Sequence, residues 1–302
     1  MKIAAHVLLK NESRYAWYSI MSVLPYVDRI RIWDMGSTDD TLKIINEIKR
    51  TNLAKEKDLF QVVEYKDIKF NEKEYRQKML ETENGVDFEY PMVRELMLGQ
   101  TISDWFIVVD ADEIWWDDSI KLVTDTIRKE GDNLESIVVP TINMIGDMYH
   151  FQENEAGRYH LAGKVGHYAL RAINRKIEGL HGQGEHGVFM WADENKVKIE
   201  SRDQNKIKFL NAPYIHTTHL KRSDTLEGEK EVYKRAKKLK YEIGIETPKD
   251  FFYPEIFFRS RPSFVKFPWE TPSLKYKFIA NIETPLKKFR RRYMMKGVKH
   301  GY

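Results

Sequence analysis

Two carboxylates follow an apolar run of the sequence and are separated by one residue. The run WFIVV, residues 105–109, leads directly into Asp110, and Asp112 comes two residues later. Two aspartates on one turn offer the oxygen ligands that hard divalent cations take. A bound cation of this kind can neutralise the charge of a diphosphate leaving group. The pair therefore predicts a site for Mn²⁺ or Mg²⁺, with a solvated acidic turn as the alternative.

Two further acids follow apolar runs earlier in the chain. Glu12 comes shortly after the run at residues 3–9, and Asp34 follows RIRIW at residues 29–33. The carboxyl ends of parallel strands meet at one edge of an open α/β sheet, where such sheets bind ligands. We therefore expect Glu12, Asp34 and Asp110 to share one edge. There, Asp34 would accept a hydrogen bond from a nucleobase or a ribose hydroxyl.

The elements that carry these acids alternate between strand and helix over the first 140 residues. This alternation predicts an α/β fold with a mostly parallel central sheet flanked by helices. Beyond residue 140 the pattern changes to short strands, a lysine-rich helix over residues 226–243 and an end rich in proline and aromatic residues. We expect one domain over residues 1–245, with halves at 1–140 and 141–245, and a wrapping segment over residues 246–302.

The composition excludes several classes of protein. The 302 residues include no cysteine, which excludes disulfide frameworks, zinc–thiolate sites and cysteine nucleophiles. Hydrophobic residues make up 42% and charged residues 32%, which is too apolar for a disordered chain and too charged for a membrane-embedded one. The first residues do not form a signal peptide pattern, and we expect a cytoplasmic protein.

The end of the sequence is strongly basic. Residues 285–302 hold seven Lys or Arg and no acid. Leu286, Phe289 and Tyr293 would fall on one face of a helix that Pro285 can open. This pattern is typical of an interfacial anchor, and we expect peripheral binding to an anionic membrane on its inner face, with a solvated end as the alternative. Because no RNA-binding signature precedes the tail, nucleic acid is not an expected partner.

Several of these segments, taken in order, resemble the family 2 glycosyltransferases with the GT-A fold. Asn11-Glu12, the segment IRIWDMGSTDDT, Arg94 and the segment SDWFIVVDADE follow one another as they do in that family. The chain departs from the family pattern at Met35, which replaces an Asp, and at Asp40, which replaces a Gly. The resemblance covers roughly residues 1 to 120.

The resemblance implies a metal-dependent, inverting transfer of a sugar from a nucleotide-diphosphate sugar to a glycan or lipid-linked acceptor. Arg94 would face the sugar or the diphosphate, because a guanidinium suits phosphate oxygens. Lys221 and Arg222 are placed to reach the diphosphate. The residues expected to bind the nucleotide sugar are Asn11, Glu12, Asp34, Gly36, Ser37, Arg94, Asp110 and Lys221.

The resemblance also implies a histidine in the metal shell and a carboxylate base. His216 in the segment YIHTTH would join Asp110 and Asp112 as a metal ligand, with His219 as the competitor, and an imidazole ligand would favour Mn²⁺. For the base we expect Glu185, because glycines on both sides let the backbone approach a substrate closely. Asp193 is the alternative base.

Two other functions remain open from the sequence. A sugar nucleotidyltransferase would carry a glycine-rich phosphate loop after the first strand, whereas this chain has KNESRYAW there. A catalytically silent glycan-binding protein would have no use for Asp110, Asp112 and Arg94 together. Both are weaker hypotheses than a glycosyltransferase.

Overall fold

The helices surround a central sheet. The computed structural model describes residues 1–81, 89–184, 189–232 and 235–294. A π-helical turn, Arg290–Met294, continues the last helix. The helices are α1 (Ala16–Val23), α2 (Thr41–Arg50), α3 (Asn52–Lys55), α4 (Glu72–Glu81), α5 (Glu89–Gly99), α6 (Asp117–Glu130), α7 (Leu226–Glu231), α8 (Arg235–Lys238) and α9 (Leu274–Phe289).

The strands are longest in the first half of the chain and around residue 140. They are β1 (Ile3–Leu9), β2 (Arg29–Asp34), β3 (Leu59–Glu64), β4 (Trp105–Asp110), β5 (Glu113–Trp115), β6 (Ser136–Ile145), β7 (His150–Phe151), β8 (Tyr159–Leu161), β9 (Lys164–Gly166), β10 (Tyr168–Asn174), β11 (His181–Gln183), β12 (Met190–Ala192), β13 (Ile207–Phe209), β14 (Tyr214–His219) and β15 (Ile245–Glu246).

The first half forms a parallel sheet in the order β4-β1-β2-β3. Every residue of β1 is buried, as expected for a strand that lies inside a sheet covered on both faces. In the register, Leu8 is opposite Asp110 and Leu9 is opposite Asp34. The predicted α/β fold is confirmed, and the ends of β1, β2 and β4 meet at one edge.

Strands of the second half continue the same sheet. β10 is antiparallel to both β4 and β6, so it lies between two strands that precede it in the sequence. β13 and β14 are parallel to β6, and β5 is antiparallel to β14. The expected boundary at residue 140 falls inside β6, and the domain limits remain a prediction.

The segment that precedes α9 packs against the main core. Ile256, Phe257 and Val265 are buried in the cluster that also contains α1. The ring of Tyr18 lies 4.9 Å from that of Phe257, and its hydroxyl donates to the carbonyl of Lys266 at 3.0 Å. These contacts attach an irregular stretch of chain to the outer side of α1.

Two predicted helices differ from the structure. The helix expected over residues 226–243 is divided into α7 and α8, since Val232 has extended backbone angles of φ −88° and ψ 121°. Glu229 accepts from the backbone N–H of Arg222, and Arg235 donates to Glu12. The helix expected to begin at Pro285 begins at Leu274, where Ser273 caps it. Pro285 lies inside α9.

Candidate active site

A cavity of about 200 Å³ opens at the carboxyl ends of β1, β2 and β4, and we call it the central cavity. It lies at the predicted edge of the sheet. Its lining combines a few apolar side chains with many charged ones. The lining residues are Leu8, Leu9, Lys10, Glu12, Met35, Glu89, Tyr90, Asp110, Ala111, Asp112, His216, Arg222, Glu231, Val232, Arg235 and Lys238.

A second cavity of about 330 Å³ adjoins the first, and we call it the aromatic cavity. The two cavities share Tyr90, Asp110, His216 and Lys238. Asp110 and His216 therefore lie where the two spaces meet. The aromatic side chains that line the second cavity are Tyr90, Tyr159, Tyr168, Phe189, Trp191 and Tyr214.

Asp110, the last residue of β4, is held by arginines from two elements. Arg94 of α5 donates from Nη2 to Asp110 Oδ1 at 2.7 Å, and Arg171 of β10 lies 3.5 Å from Oδ2 and also pairs with Glu113. Ser19 of α1 donates to the Asp110 carbonyl at 2.9 Å. Burial acts to raise the pKa of Asp110, but Arg171 and Arg94 outweigh it and hold the pKa below its usual value. Asp110 is therefore a carboxylate at neutral pH.

Asp112 lies in the turn after β4 and is almost fully buried. Arg222 donates from Nη1 to its Oδ2 at 2.5 Å, and Nε2 of His216 lies 3.4 Å from the same oxygen. Thr217 fixes the turn by donating its backbone N–H to the Asp112 carbonyl at 2.8 Å. Burial opposes ionisation, yet Arg222 and His216 hold the pKa of Asp112 well below its usual range.

Glu12 is another acidic residue of the central cavity. Its Oε1 accepts from Arg235 at 2.5 Å and lies 3.3 Å from Nη1 of Arg222. The same guanidinium nitrogen of Arg222 thus contacts both Glu12 and Asp112. Burial raises the pKa of Glu12 to about 7, although Arg222 and Arg235 act to lower it.

The raised pKa of Glu12 makes the stability of the fold depend on pH. Folded Glu12 keeps its proton at pH values where the unfolded chain has lost it, so its contribution to the free energy of unfolding falls as the pH rises from about 4.5 to about 7. As the pH rises between these limits, we expect the free energy of unfolding of wild type to fall by about 1–3 kcal/mol relative to that of Glu12→Gln. Urea unfolding at a series of pH values measures this difference.

Glu231 provides the control for this experiment. Hydrogen bonds from Thr38 and Asn11 lower the pKa of Glu231. Its contribution to the free energy of unfolding is therefore lost only as the pH falls through that lowered pKa. Glu231→Gln should therefore keep the wild-type slope. Parallel pH profiles for wild type and Glu12→Gln would show that Glu12 is not the titrating group.

Asp112 and His216 fit the chemistry of a divalent metal site. Their nearest side-chain atoms are 3.4 Å apart, which is compatible with two ligands that each lie about 2.1 Å from one ion. An oxygen and an imidazole nitrogen together suit Mn²⁺ better than Mg²⁺. Within the described ranges, no group of three His, Cys, Asp or Glu side chains is placed to hold an ion. Asp110 bonds to Arg94 and Arg171, and Asp112 Oδ2 bonds to Arg222. An ion would therefore share these carboxylates with arginines, and phosphate and water would complete the shell.

The predicted residues of the loop after β2 bond mainly to one another. Asp34 is 1% exposed, and its Oδ2 accepts from the backbone N–H groups of Gly36 and Ser37 at 3.0 and 2.9 Å. Asn11 Oδ1 accepts from the N–H of Thr38 at 2.7 Å. Asn11, Asp34, Gly36 and Ser37 are not among the described residues that line the central cavity, whereas Met35 is. The loop is therefore shaped by the residues that we expected to contact the nucleotide.

Lys221 and Asp193 lie apart from the central cavity. Lys221 is exposed and borders a different cavity near Arg14 and Tyr276. Asp193 follows β12, where it accepts from the N–H groups of Asn195 and Val197 and pairs with Arg202. It does not line either cavity in the part of the chain that the structure describes. Glu185 lies outside the described residues.

Several functional side chains were not found from the sequence. Arg171 had a signal, because it is a lone cation within the otherwise apolar strand segment YALRAIN. Arg235 and Lys238 had none, since each resembles its neighbours in a lysine-rich segment, and Tyr90 had none at the start of α5. These residues became visible only when the fold placed them at the two cavities.

Comparisons with known proteins give similarities of structure alone. No protein-family model matches the sequence, and a search of curated proteins finds no match. S. aureus TarS 1–349 shares 14% identity over 72% of this chain and 61% of its own, with a TM-score of 0.42. The same protein in complex with UDP-GlcNAc shares 14% identity over 77% of this chain and 62% of its own, with a TM-score of 0.43. A third similar structure is glucosyl-3-phosphoglycerate synthase from Mycobacterium tuberculosis in complex with Mn²⁺, UDP and glucosyl-3-phosphoglycerate. It shares 18% identity over 71% of this chain and 71% of its own, with a TM-score of 0.42.

The extent of these likenesses limits what they establish. The chain spans about three fifths of the length of the TarS structure. With identities below 20% and TM-scores below 0.5, the likeness establishes neither an activity nor a substrate for this chain. Its function has to be argued from its own site.

Proposed function

We propose that this chain is a GT-A-type glycosyltransferase that moves a sugar from a nucleotide-diphosphate sugar to a glycan or lipid-linked acceptor. The observation that carries the proposal is the meeting of two cavities at Asp110 and His216. A transferase needs two substrates to approach one point, and a charged cavity beside an aromatic one offers a place for each. The central cavity would bind the donor and the aromatic cavity the acceptor.

The charge of the central cavity supports a diphosphate donor accompanied by a cation. Among the described residues, four basic side chains (Lys10, Arg222, Arg235 and Lys238) and five acidic ones line it, so the lining has no excess of positive charge even when Glu12 is protonated. A diphosphate would add further negative charge, so a divalent ion would balance the site. We propose Mn²⁺ or Mg²⁺ held by Asp112 and His216. When bound, such an ion stabilises the leaving diphosphate.

The residues around the junction would position the substrates. Arg222 and Arg235 present guanidinium groups that can contact phosphate oxygens. Arg94 lines the aromatic cavity, and within the described part of the chain its Nη1 has no hydrogen-bond partner. Because this nitrogen is itself buried, Arg94 would act on a substrate through Asp110, which it holds in place. Asp110, fixed by Arg94 and Arg171, would orient the ribose or the transferred sugar.

The aromatic cavity supports a glycan as the acceptor. Aromatic faces pack against the apolar faces of sugar rings, and Tyr hydroxyls can bond to their polar edges. For the base that takes the acceptor proton we retain Glu185. Asp193 is the weaker candidate, because Arg202 and two backbone N–H groups occupy its carboxylate.

A binding screen tests this function directly. Thermal shift with UDP-, GDP-, CMP- and dTDP-sugars, each with and without Mn²⁺, should give a stabilisation that needs both the nucleotide and the ion. Release of the nucleoside diphosphate should then depend on an added acceptor. A nucleotidyltransferase would instead consume a nucleoside triphosphate, and a glycan-binding protein would be stabilised by sugar alone.

His216 and His219 distinguish the metal site from its alternative. We expect His216→Ala to weaken Mn²⁺ affinity about 10–100-fold, measured by calorimetry in the presence of the nucleotide. His219→Ala is the matched control, since Nδ1 of His219 is bonded to the carbonyl of Lys238 and its side chain does not line the described part of the central cavity. A larger loss in His219→Ala would show that the wrong histidine was assigned.

A lipid-linked acceptor would require the enzyme to work at a membrane surface. Within the described ranges, no helix is long and apolar enough to cross a membrane. We propose that the protein is a cytoplasmic, peripheral enzyme, as the basic tail predicts. Residues 295–302 of that tail lie outside the described residues.

A further inference from the structure

α9 presents a row of large apolar side chains that face away from the protein. They recur at intervals of four, four, four, three and four residues, which places them on one side of a helix. Each is more than half exposed. We call this row the apolar stripe, and it consists of Leu274, Phe278, Ile282, Leu286, Phe289 and Tyr293.

The opposite side of α9 is fixed to the body, which sets the direction of the stripe. Ala280 and Thr284 are buried, and Thr284 Oγ1 accepts from the N–H of Ile243 at 2.8 Å. The hydroxyl of Tyr276 donates to the carbonyl of Lys240 at 2.8 Å. At the far end, Arg291 pairs with Glu153 and Glu242. The helix cannot roll its stripe inward without breaking these bonds.

The charge beside the stripe identifies the partner that it fits. The acid within α9, Glu283, is paired with Lys287 at 2.7 Å. Five other basic residues of α9 and its π-helical turn are exposed. They are Lys275, Lys277, Lys288, Arg290 and Arg292.

We propose that α9 is an interfacial helix that inserts the apolar stripe into one leaflet of an anionic membrane. The 16 residues of α9 extend over about 24 Å, so the stripe can lie flat in the headgroup region. Aromatic and aliphatic side chains enter the acyl boundary, and the flanking cations bind anionic headgroups. A second copy of the chain fits this face poorly, because it would bring two sets of five cations together.

This inference does not depend on the proposed enzyme activity. It extends the interfacial anchor expected from Leu286, Phe289 and Tyr293 back to Leu274, eleven positions before Pro285. Its test measures lipid binding and needs no donor or acceptor. Failure of membrane binding would therefore remove the proposed peripheral location and leave the proposed enzyme activity intact.

Flotation of the full chain with vesicles tests the proposal. Wild type should bind phosphatidylcholine vesicles that contain phosphatidylglycerol, and less so at high salt, where the Debye length shrinks to about 3 Å at 1 M. Phe278→Glu with Leu286→Glu should lower the partition coefficient by at least about tenfold, because it removes two large apolar side chains from the lipid contact and adds two negative charges. Lys288→Gln with Arg292→Gln should lower it about tenfold on anionic vesicles.

Ile102→Glu is the matched control, because Ile102 is 77% exposed in the loop between α5 and β4. It should bind vesicles as wild type does. Equal binding by the stripe variant, or no binding by wild type, overturns the proposal. Light scattering would also overturn the proposal if it found a dimer in wild type and a monomer in Phe278→Glu with Leu286→Glu. The apolar stripe would then be the contact surface for a second copy of the chain. All substitutions replace exposed side chains, and unchanged melting temperatures will verify the fold.

Discussion

Asp112→Asn is expected to reduce sugar transfer by about 100–1,000-fold while the protein stays folded. The substitution keeps the shape of the side chain and removes its charge. The site then loses a ligand for the ion that stabilises the leaving group, and the loss of one such electrostatic element costs about two to three orders of magnitude in rate. Steady-state release of nucleoside diphosphate measures the loss, and Mn²⁺-dependent thermal shift should disappear with it.

Asp147 provides a matched control for this substitution. It is also a buried aspartate beside a histidine, since His150 Nδ1 lies 2.7 Å from its Oδ1. Asp147 does not line the described part of either cavity at the junction, so Asp147→Asn should keep its activity. Unchanged turnover in Asp112→Asn, or full activity of wild type in excess EDTA, would contradict the metal site.

Arg222→Met is expected to be the most destabilising of the substitutions considered, at about 3–5 kcal/mol. The guanidinium contacts Asp112 and Glu12 together, and both carboxylates are buried. Removal of the cation leaves the charge of Asp112 without its strongest partner at a position that is almost fully buried. Urea unfolding at neutral pH measures the loss.

A second substitution shows whether Arg222→Met lowers stability through an unpaired buried charge or through lost packing. Arg222→Met combined with Asp112→Asn removes both members of the pair and should recover part of the stability, because no uncompensated charge remains. Arg259→Met breaks the exposed pair with Asp117 and should cost at most about 1 kcal/mol. If Arg222→Met costs no more than Arg259→Met, the buried pair does not stabilise the fold.

The framework of the site was predictable because it depends on local patterns. Apolar runs that end in acids predicted that β1, β2 and β4 would bring their ends to one edge, and the register places Asp110 and Asp34 on either side of the end of β1. The sequence also assigned Asp112 and His216 to one shell, and their side chains are 3.4 Å apart. Their role as metal ligands remains a prediction.

The position of Asp34 shows where a local signal was given too little weight. An aspartate commonly accepts hydrogen bonds from backbone N–H groups two or three residues later, and Gly36 supplies the positive φ of 78° that this turn adopts. The segment Asp-Met-Gly-Ser therefore carries the signature of a turn closed by its own carboxylate. Met35, which departs from the family pattern, is the residue that the turn presents to the cavity.

The arginine partners were not predictable, for a different reason. Arg94, Arg171 and Arg222 meet Asp110 and Asp112 through separate elements that are distant in the sequence. Which cation reaches which acid depends on strand order and register, and no local pattern encodes these. A net charge can be counted from a sequence, whereas the pairing of buried charges requires the fold.

The place of β10 has a consequence for how the protein is made. β10 separates β4 from β6, although both of these strands leave the ribosome before it. Until residues 168–174 emerge, β4 and β6 each keep an open edge, and open edges are where nascent chains pair wrongly. Because Arg171 arrives on the same strand, the joining of β4 to β6 and the pairing of Arg171 with Asp110 and Glu113 both wait for residues 168–174. The parallel strands of the first half are thus connected to β6 only after β10 has been synthesised.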